Sequence, residues 1–187
     1  MSWSRCLAAS VALAFLFSKC VFAADAPSLE YQVKGAFLIK FGMFVDWPAT
    51  KQGSDENAPF VIGILGDDPF GKSFDEAATK EKVNGRQVAV KRAVTAAELS
   101  ECQIVFVSSS EMDRASGALS QLSTNGVLTV GDSPGFARNG GMVGFIKENG
   151  KVRFEINTIV AEKSGLKMSS KLLQVGKVVT EGKSNHG

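Results

Sequence analysis

Four short apolar runs, each closed by turn residues, constrain this chain more than any other feature. They are P-F-V-I-G-I-L-G (59–66), Q-V-A-V-K-R (87–92), Q-I-V-F-V (103–107) and V-L-T-V (127–130). A strand that is apolar without in–out alternation is covered on both faces, as strands of a parallel sheet are. Helix signals fall between the runs. Asp68–Pro69 offers an N-cap and first turn for a helix over about 69–80. Thr95 with Glu98 forms a capping box for a short helix, and Ser110 with Asp113 is spaced as a capping pair for one reaching about Leu122. The alternation predicts an α/β fold: a three-layer, Rossmann-like sandwich with a mostly parallel sheet.

The two ends of the chain read differently. Residues 29–47 form an apolar stretch with Val33, Phe37, Phe41 and Phe44 on one helical stripe and Ala36, Ile39 and Met43 on a second. The pattern predicts an N-terminal amphipathic helix ended by Pro48, followed by a polar linker over 49–58. Near the C-terminus, G-M-V-G-F-I-K and K-V-R-F-E-I-N flank Asn149–Gly150, which predicts a β-hairpin with an Asn-Gly turn. A helical region over about 158–180, broken near Gly165, completes the expected domain over 27–182, with a flexible polar tail at 183–187.

Residues 1–26 are expected to be a signal peptide rather than part of the fold. Arg5 precedes an eleven-residue apolar run, Leu7 to Phe17, broken only by Ser10; V-F-A-A-D-A then offers cleavage after Ala23 or Ala26. The run falls short of the ~20 residues that a membrane-spanning helix needs. Lys19 before Cys20 is wrong for a lipid-anchored cysteine. Removing residues 1–23 takes Arg5 and Lys19 from the 21 basic groups, leaving 19 against 19 acidic ones. It also takes Cys6 and Cys20, leaving Cys102, so no internal disulfide can form in an exported chain.

The composition excludes several chemistries. A balanced charge without a Lys/Arg cluster argues against nucleic acid as a partner. The single histidine, His186, lies in the polar tail, which excludes a His-based triad, general base or metal cluster in the folded body. There is no G-x-G-x-x-G, P-loop or G-x-S-x-G, and Asp67 and Asp68 after the first run would repel a phosphate. A receiver-type phosphorylation site needs an Asp after the third run, where this chain has Ser108-Ser109-Ser110-Glu111. The expectation is a binding protein: no enzyme, no cofactor, no metal. The aromatic helix and a strand-end loop supply candidate partner contacts at Phe37, Phe41, Phe44, Trp47, Asp67 and Phe70. Arg153, Asn157, Ser169 and Ser170 are candidates for a small ligand pocket, and N-G-G-M-V-G (139–144) reads as a tight turn into the hairpin.

Taken together, Y-Q-V-K-G-A-F-L-I-K-F-G-M-F-V-D-W-P (31–48), V-I-G-I-L-G-D-D-P-F-G (61–71), N-G-R-Q-V-A-V (84–90), C-Q-I-V-F-V-S-S-S-E (102–111), V-L-T-V-G-D-S-P-G-F-A (127–137), G-G-M-V-G-F (140–145), V-R-F-E-I-N (152–157) and G-L-K-M-S-S-K-L-L (165–173) resemble the YfiR family of small periplasmic proteins. The resemblance implies an α/β sandwich that tends to form a homodimer. It also implies a role without catalysis: binding the periplasmic sensor domain of an inner-membrane diguanylate cyclase and holding the cyclase inactive. An outer-membrane lipoprotein with a peptidoglycan-binding domain is the implied antagonist. Better-known members of the family carry disulfides, and the single Cys102 departs from that pattern. The alternative expectation is a periplasmic small-molecule binder that presents its ligand to a membrane receptor.

Overall fold

An eight-stranded, mostly parallel sheet organises the molecule, in a computed structural model that describes residues 27–52 and 58–179. The expected signal peptide and the tail at 183–187 lie outside the described residues. The first helix, α1, spans Leu29–Phe41 and leads through a turn to strand β1, Val45–Asp46, and helix α2, Ala49–Gln52. Then come β2 (Phe60–Leu65), α3 (Lys72–Ala78), β3 (Lys82–Val83), β4 (Arg86–Ala93) and β5 (Ile104–Val107). Helix α4 (Ala115–Thr124), β6 (Leu128–Gly131), β7 (Val143–Glu148) and β8 (Lys151–Ile156) follow. The chain ends in α5 (Thr158–Lys163), β9 (Lys167–Met168), α6 (Ser170–Val175) and β10 (Lys177–Val178).

The strand order is β10-β8-β7-β6-β5-β2-β4-β3. Strands β4, β2, β5, β6 and β7 are mutually parallel, so the chain winds outward in both directions from β2, and the order reverses between β2 and β5. Alternate strand residues feed two apolar clusters. Ile62, Ile64, Ile104, Phe106, Leu128 and Val130 pack with Leu38 and Phe41 of α1 and Phe74 and Ala78 of α3. Leu65, Val105 and Val107 pack with Leu119 and Leu122 of α4 and with Cys102. Strands β2, β5 and β6 are buried on both sides because each side meets its own cluster, whereas β4 leaves Lys91 and Arg92 exposed. The four predicted runs are all strands.

The Asn149–Gly150 turn is as expected, and a second Asn-Gly turn joins another pair of strands. Asn149 (φ 52°) and Gly150 (φ 73°) join β7 to β8, and Asn84 (φ 50°) and Gly85 (φ 83°) join β3 to β4. Positive φ at both central residues matches the right-handed twist of the strands they connect. The 139–144 loop is packed rather than open: a Cβ on Gly141 would lie 2.2 Å from the Phe136 ring, and one on Gly131 2.5 Å from it.

Helix ends were the main departures. The first helix stops at Phe41, not at Pro48; the next residue, Gly42, keeps helical angles and packs against Val83 and Phe60, where a Cβ would come within 3.0 Å of both. Val45 and Asp46 then pair with Met168 and Lys167 of β9. Asp68 does not cap a helix at 69: its Oδ1 accepts the Phe70 N–H at 2.7 Å, and α3 begins after Gly71. Thr95 donates to the Glu98 carboxylate beside a single 3-10 turn, Ala97–Leu99. The residue capping the turn that leads to α4 is Ser108 rather than Ser110. Part of the expected 49–58 linker is α2, and the expected helix over 158–180 is two short helices, capped by Asn157 and Ser169, alternating with β9 and β10.

Candidate functional site

The C-terminal ends of the parallel strands carry the charged loops, and those at the order reversal are pressed together. Gly66 (φ +84°) ends β2 where a Cβ would stand 2.6 Å from Ser110 Oγ and 2.7 Å from Glu111 Cγ. The Asp67 N–H donates to Ser110 Oγ at 3.0 Å. One residue on, Asp68 Oδ2 accepts from Arg92 at the end of β4, and the same guanidinium forks onto both oxygens of Asp75 in α3 at 2.9 and 2.8 Å. These bonds, that to Asp75 foremost, raise the Arg92 pKa further. Glu111, buried, is paired with Arg114 at 2.9 Å.

A second network ties α1 to the end of β6. Lys34 Nζ lies 2.7 Å from Asp132 Oδ2 and 2.8 Å from Glu30 Oε1, with its own side chain only 6% exposed and that of Asp132 8%. Tyr31 donates its hydroxyl to the same Asp132 oxygen at 2.9 Å, and its ring lies 4.3 Å below the ammonium. Burial opposes the Lys34 charge, but the bonds to Asp132 and Glu30 outweigh it and raise the pKa. Bonds to Lys34 and then Lys147 hold the Glu30 carboxyl below its ordinary value. Burial, then Asp132, pushes the Tyr31 phenol up.

Beside this network, α1 and α3 diverge to leave an apolar groove of about 660 Å³. Tyr31, Ile39, Met43, Phe44, Phe70 and Phe74 line it, with Lys40 and Glu81 at its rim. Tyr31 meets Phe70 edge-on at 5.6 Å, and Phe70 in turn packs on Phe74 at 5.1 Å. Met43 is exposed. Fixed aromatic walls around an open, water-contacting floor suit an apolar side chain or a small apolar ligand.

The expected partner residues do not form a single surface. Phe41 and Phe70 are 1% exposed and Trp47 7%, so the core already holds them. Phe37 and Phe41 pack against Phe154 at 5.4 and 5.1 Å, on the side of α1 turned to the hairpin. Trp47 stacks edge-on against Phe60 at 5.3 Å and donates its indole N–H to the Gln103 carbonyl. Phe44, half-buried, and the buried Phe70 share the groove wall; Asp67 is exposed at the strand ends. Ile39 and Met43, on the second stripe of the sequence pattern, complete that wall. The other expected pocket is not assembled. Arg153 and Ser170 are exposed, whereas Asn157 is fully buried, bonding Ala137 O and capping α5; Ser169 caps α6.

The curled, mostly parallel sheet, the strand ends closed by ion pairs and the groove beside the first helix define a mixed α/β domain with an open apolar groove. The chain belongs to the YfiR/HmsC-like family (DUF4154), whose model matches residues 31–177. That family is periplasmic. No curated protein sequence matches the chain. Solved structures similar to it include a conserved domain protein from Vibrio cholerae (11% identity, TM-score 0.47, 64% of this chain and 54% of that one). Others are an ABC domain in complex with L-Trp from Streptococcus pneumonia (13%, 0.48, 64% and 55%) and a ligand-free, open substrate-binding protein with adhesive properties from Clostridium difficile (14%, 0.43, 65% and 55%). The chain thus spans about half the length of each of these structures. Among the described residues, no helix is long and apolar enough to cross a membrane.

Proposed function

We propose that the protein represses an inner-membrane diguanylate cyclase by binding the cyclase's periplasmic sensor domain, and so lowers cyclic-di-GMP. The observation that carries this reading is the family match across residues 31–177. The repressor favours one conformation of the sensor, and its effect equals its difference in affinity for the two; moving a two-state equilibrium from 1:99 to 99:1 takes about 5.5 kcal/mol. The groove between α1 and α3 supports contact through apolar side chains. A homodimer, and an outer-membrane lipoprotein that sequesters the repressor, belong to the same reading. So does a three-layer, Rossmann-like arrangement, which the two apolar clusters support. Deleting the gene should raise cyclic-di-GMP and biofilm, with the wild-type gene restoring both and a Met43→Glu variant failing to. Unchanged cyclic-di-GMP on deletion would overturn the reading.

The groove also favours a second reading, a periplasmic small-molecule binder that presents its ligand to a membrane receptor, since ~300–1,000 Å³ is the usual size of a ligand site. A thermal-shift screen of apolar metabolites tests it. Stabilisation lost in Met43→Glu supports it, and no stabilisation by any compound removes it.

A further inference from the structure

The β8 end of the sheet is incompletely closed. Strand β10 pairs with β8 at Glu155 and Ile156, and the parallel register there puts the Lys177 N–H on the Phe154 carbonyl, so along residues 151–153 the outer side of β8 has no strand partner among the described residues. The two-residue Asn149–Gly150 turn makes Glu148 and Lys151 a hydrogen-bonded pair, and the alternation of an antiparallel ladder then turns the backbone groups of Val152 and Phe154 away from β7. The Val179 N–H bond to the Ile156 carbonyl, 2.8 Å, follows the same alternation.

The side chains along this edge are cationic. Lys151, Arg153 and Glu155 stand on one face, and Lys177, level with Glu155 in the parallel pair, joins them. Arg138 reaches the same face from the 3-10 turn Phe136–Asn139 and bonds the buried Glu155 at 2.8 Å. Opposite, β7 presents Glu148 across from Lys151 and the half-buried Ile146 across from Arg153. Lys151, Arg153 and Lys177 are exposed and make no ion pair among the described residues.

We propose that this edge docks an extended acidic segment of a partner protein. The segment adds as a strand beside β8: its main chain bonds the outward N–H and carbonyl of Val152, and its carboxylates, at alternate positions, face Lys151 and Arg153. Unpaired main-chain groups next to cations two residues apart fit a peptide strand, whereas a lipid headgroup has use only for the cations. The inference needs only the β8 edge and stands apart from cyclase repression and from the α1–α3 groove.

Fluorescence anisotropy tests it, with the purified protein and a labelled peptide alternating Glu and Val. Binding should saturate and weaken with added salt. Lys151→Glu combined with Arg153→Glu should weaken it by about tenfold or more, while Lys91→Glu on the opposite edge should leave it unchanged. A peptide of the same composition with its Glu and Val in separate blocks should bind more weakly, because it cannot place carboxylates at alternate positions. Absence of saturable binding, equal binding by the double variant, or equal binding of the block peptide would overturn the proposal. So would capture by phosphatidylglycerol vesicles that the double variant abolishes, with no saturable binding of the alternating peptide.

Discussion

The strand-end edge and the β8–β10 edge are both charged, but only the first has neutralised its charges internally. At the strand ends, Arg92 lies between Asp68 and Asp75, and Lys34 between Asp132 and Glu30. On the other edge, Lys151, Arg153 and Lys177 surround a carboxylate that already has its partner in Arg138. The same residue types therefore do different work. Charges paired inside the protein fix where α1 and α3 sit, and with them the width of the groove. Charges left toward solvent add little to the fold and remain open to another molecule.

The sharpest test of the first half of that contrast is Lys34→Ala. It leaves Asp132 buried with only the Tyr31 hydroxyl, and removing one partner of a buried pair costs about 3 kcal/mol or more. Urea denaturation should show a lower midpoint by that amount. The double change Lys34→Met, Asp132→Leu should cost less than either single change, because no unpaired charge remains. A loss below ~1 kcal/mol in Lys34→Ala would show that the network is not holding α1.

The pH dependence sharpens the same point. Glu30 titrates below its ordinary value of 4.5, so its contribution is complete above that value and disappears as pH falls through the lowered pKa. Lys34 titrates above its ordinary 10.5, so its contribution is complete below that value and disappears as pH rises through the raised pKa. Stability should fall on the acid side below 4.5 and again on the alkaline side, where the Cys102 thiol and the Tyr31 phenol, both pushed up, add losses that begin at their ordinary 9.0 and 10.0. Glu30→Gln should make the acid side shallower and leave the alkaline side in place; an unchanged acid side would separate Glu30 from the network's effect.

Much of this contrast is hidden from the sequence, and the reason is sequence distance. The strands were legible because each apolar run reports its own burial, and the Asn149–Gly150 turn because its φ angles are a local demand. The Lys34–Asp132 pair joins residues 98 positions apart, and nothing near either residue announces the other. Past α1 the chain is held by the pairing of Val45 and Asp46 with β9, also remote, so the helical stripe runs on in sequence past Phe41. All the candidate partner residues but Asp67 are aromatic, a property that selects the core as readily as a surface: Phe41, Trp47 and Phe70 are buried, while Met43 on the same helix pattern opens the groove.

Arg92→Ala should have a smaller effect than Lys34→Ala, because its guanidinium is 37% exposed and solvent screens its pairs. The bidentate grip on Asp75 puts the loss at about 1 kcal/mol, near the upper end for exposed pairs. Double-mutant cycles with Asp75→Asn and with Asp68→Asn should assign the larger share to Asp75, which takes both arms of the fork. Equal shares would mean that the fork geometry adds nothing beyond charge.

Arg153→Ala should have the smallest effect of all. The side chain is exposed on a strand whose neighbours, Lys151 and Lys177, carry the same sign, so its removal takes away repulsion along with solvation. The midpoint should stay within ~0.5 kcal/mol of wild type, and Arg153→Glu should be equal or slightly more stable, the more so at low salt. That sign is the informative part. A guanidinium that holds the fold loses stability on charge reversal; one left over from folding does not. A loss above ~1 kcal/mol in Arg153→Glu would place the β8 edge with the strand ends, as a surface whose charges serve the protein's own structure.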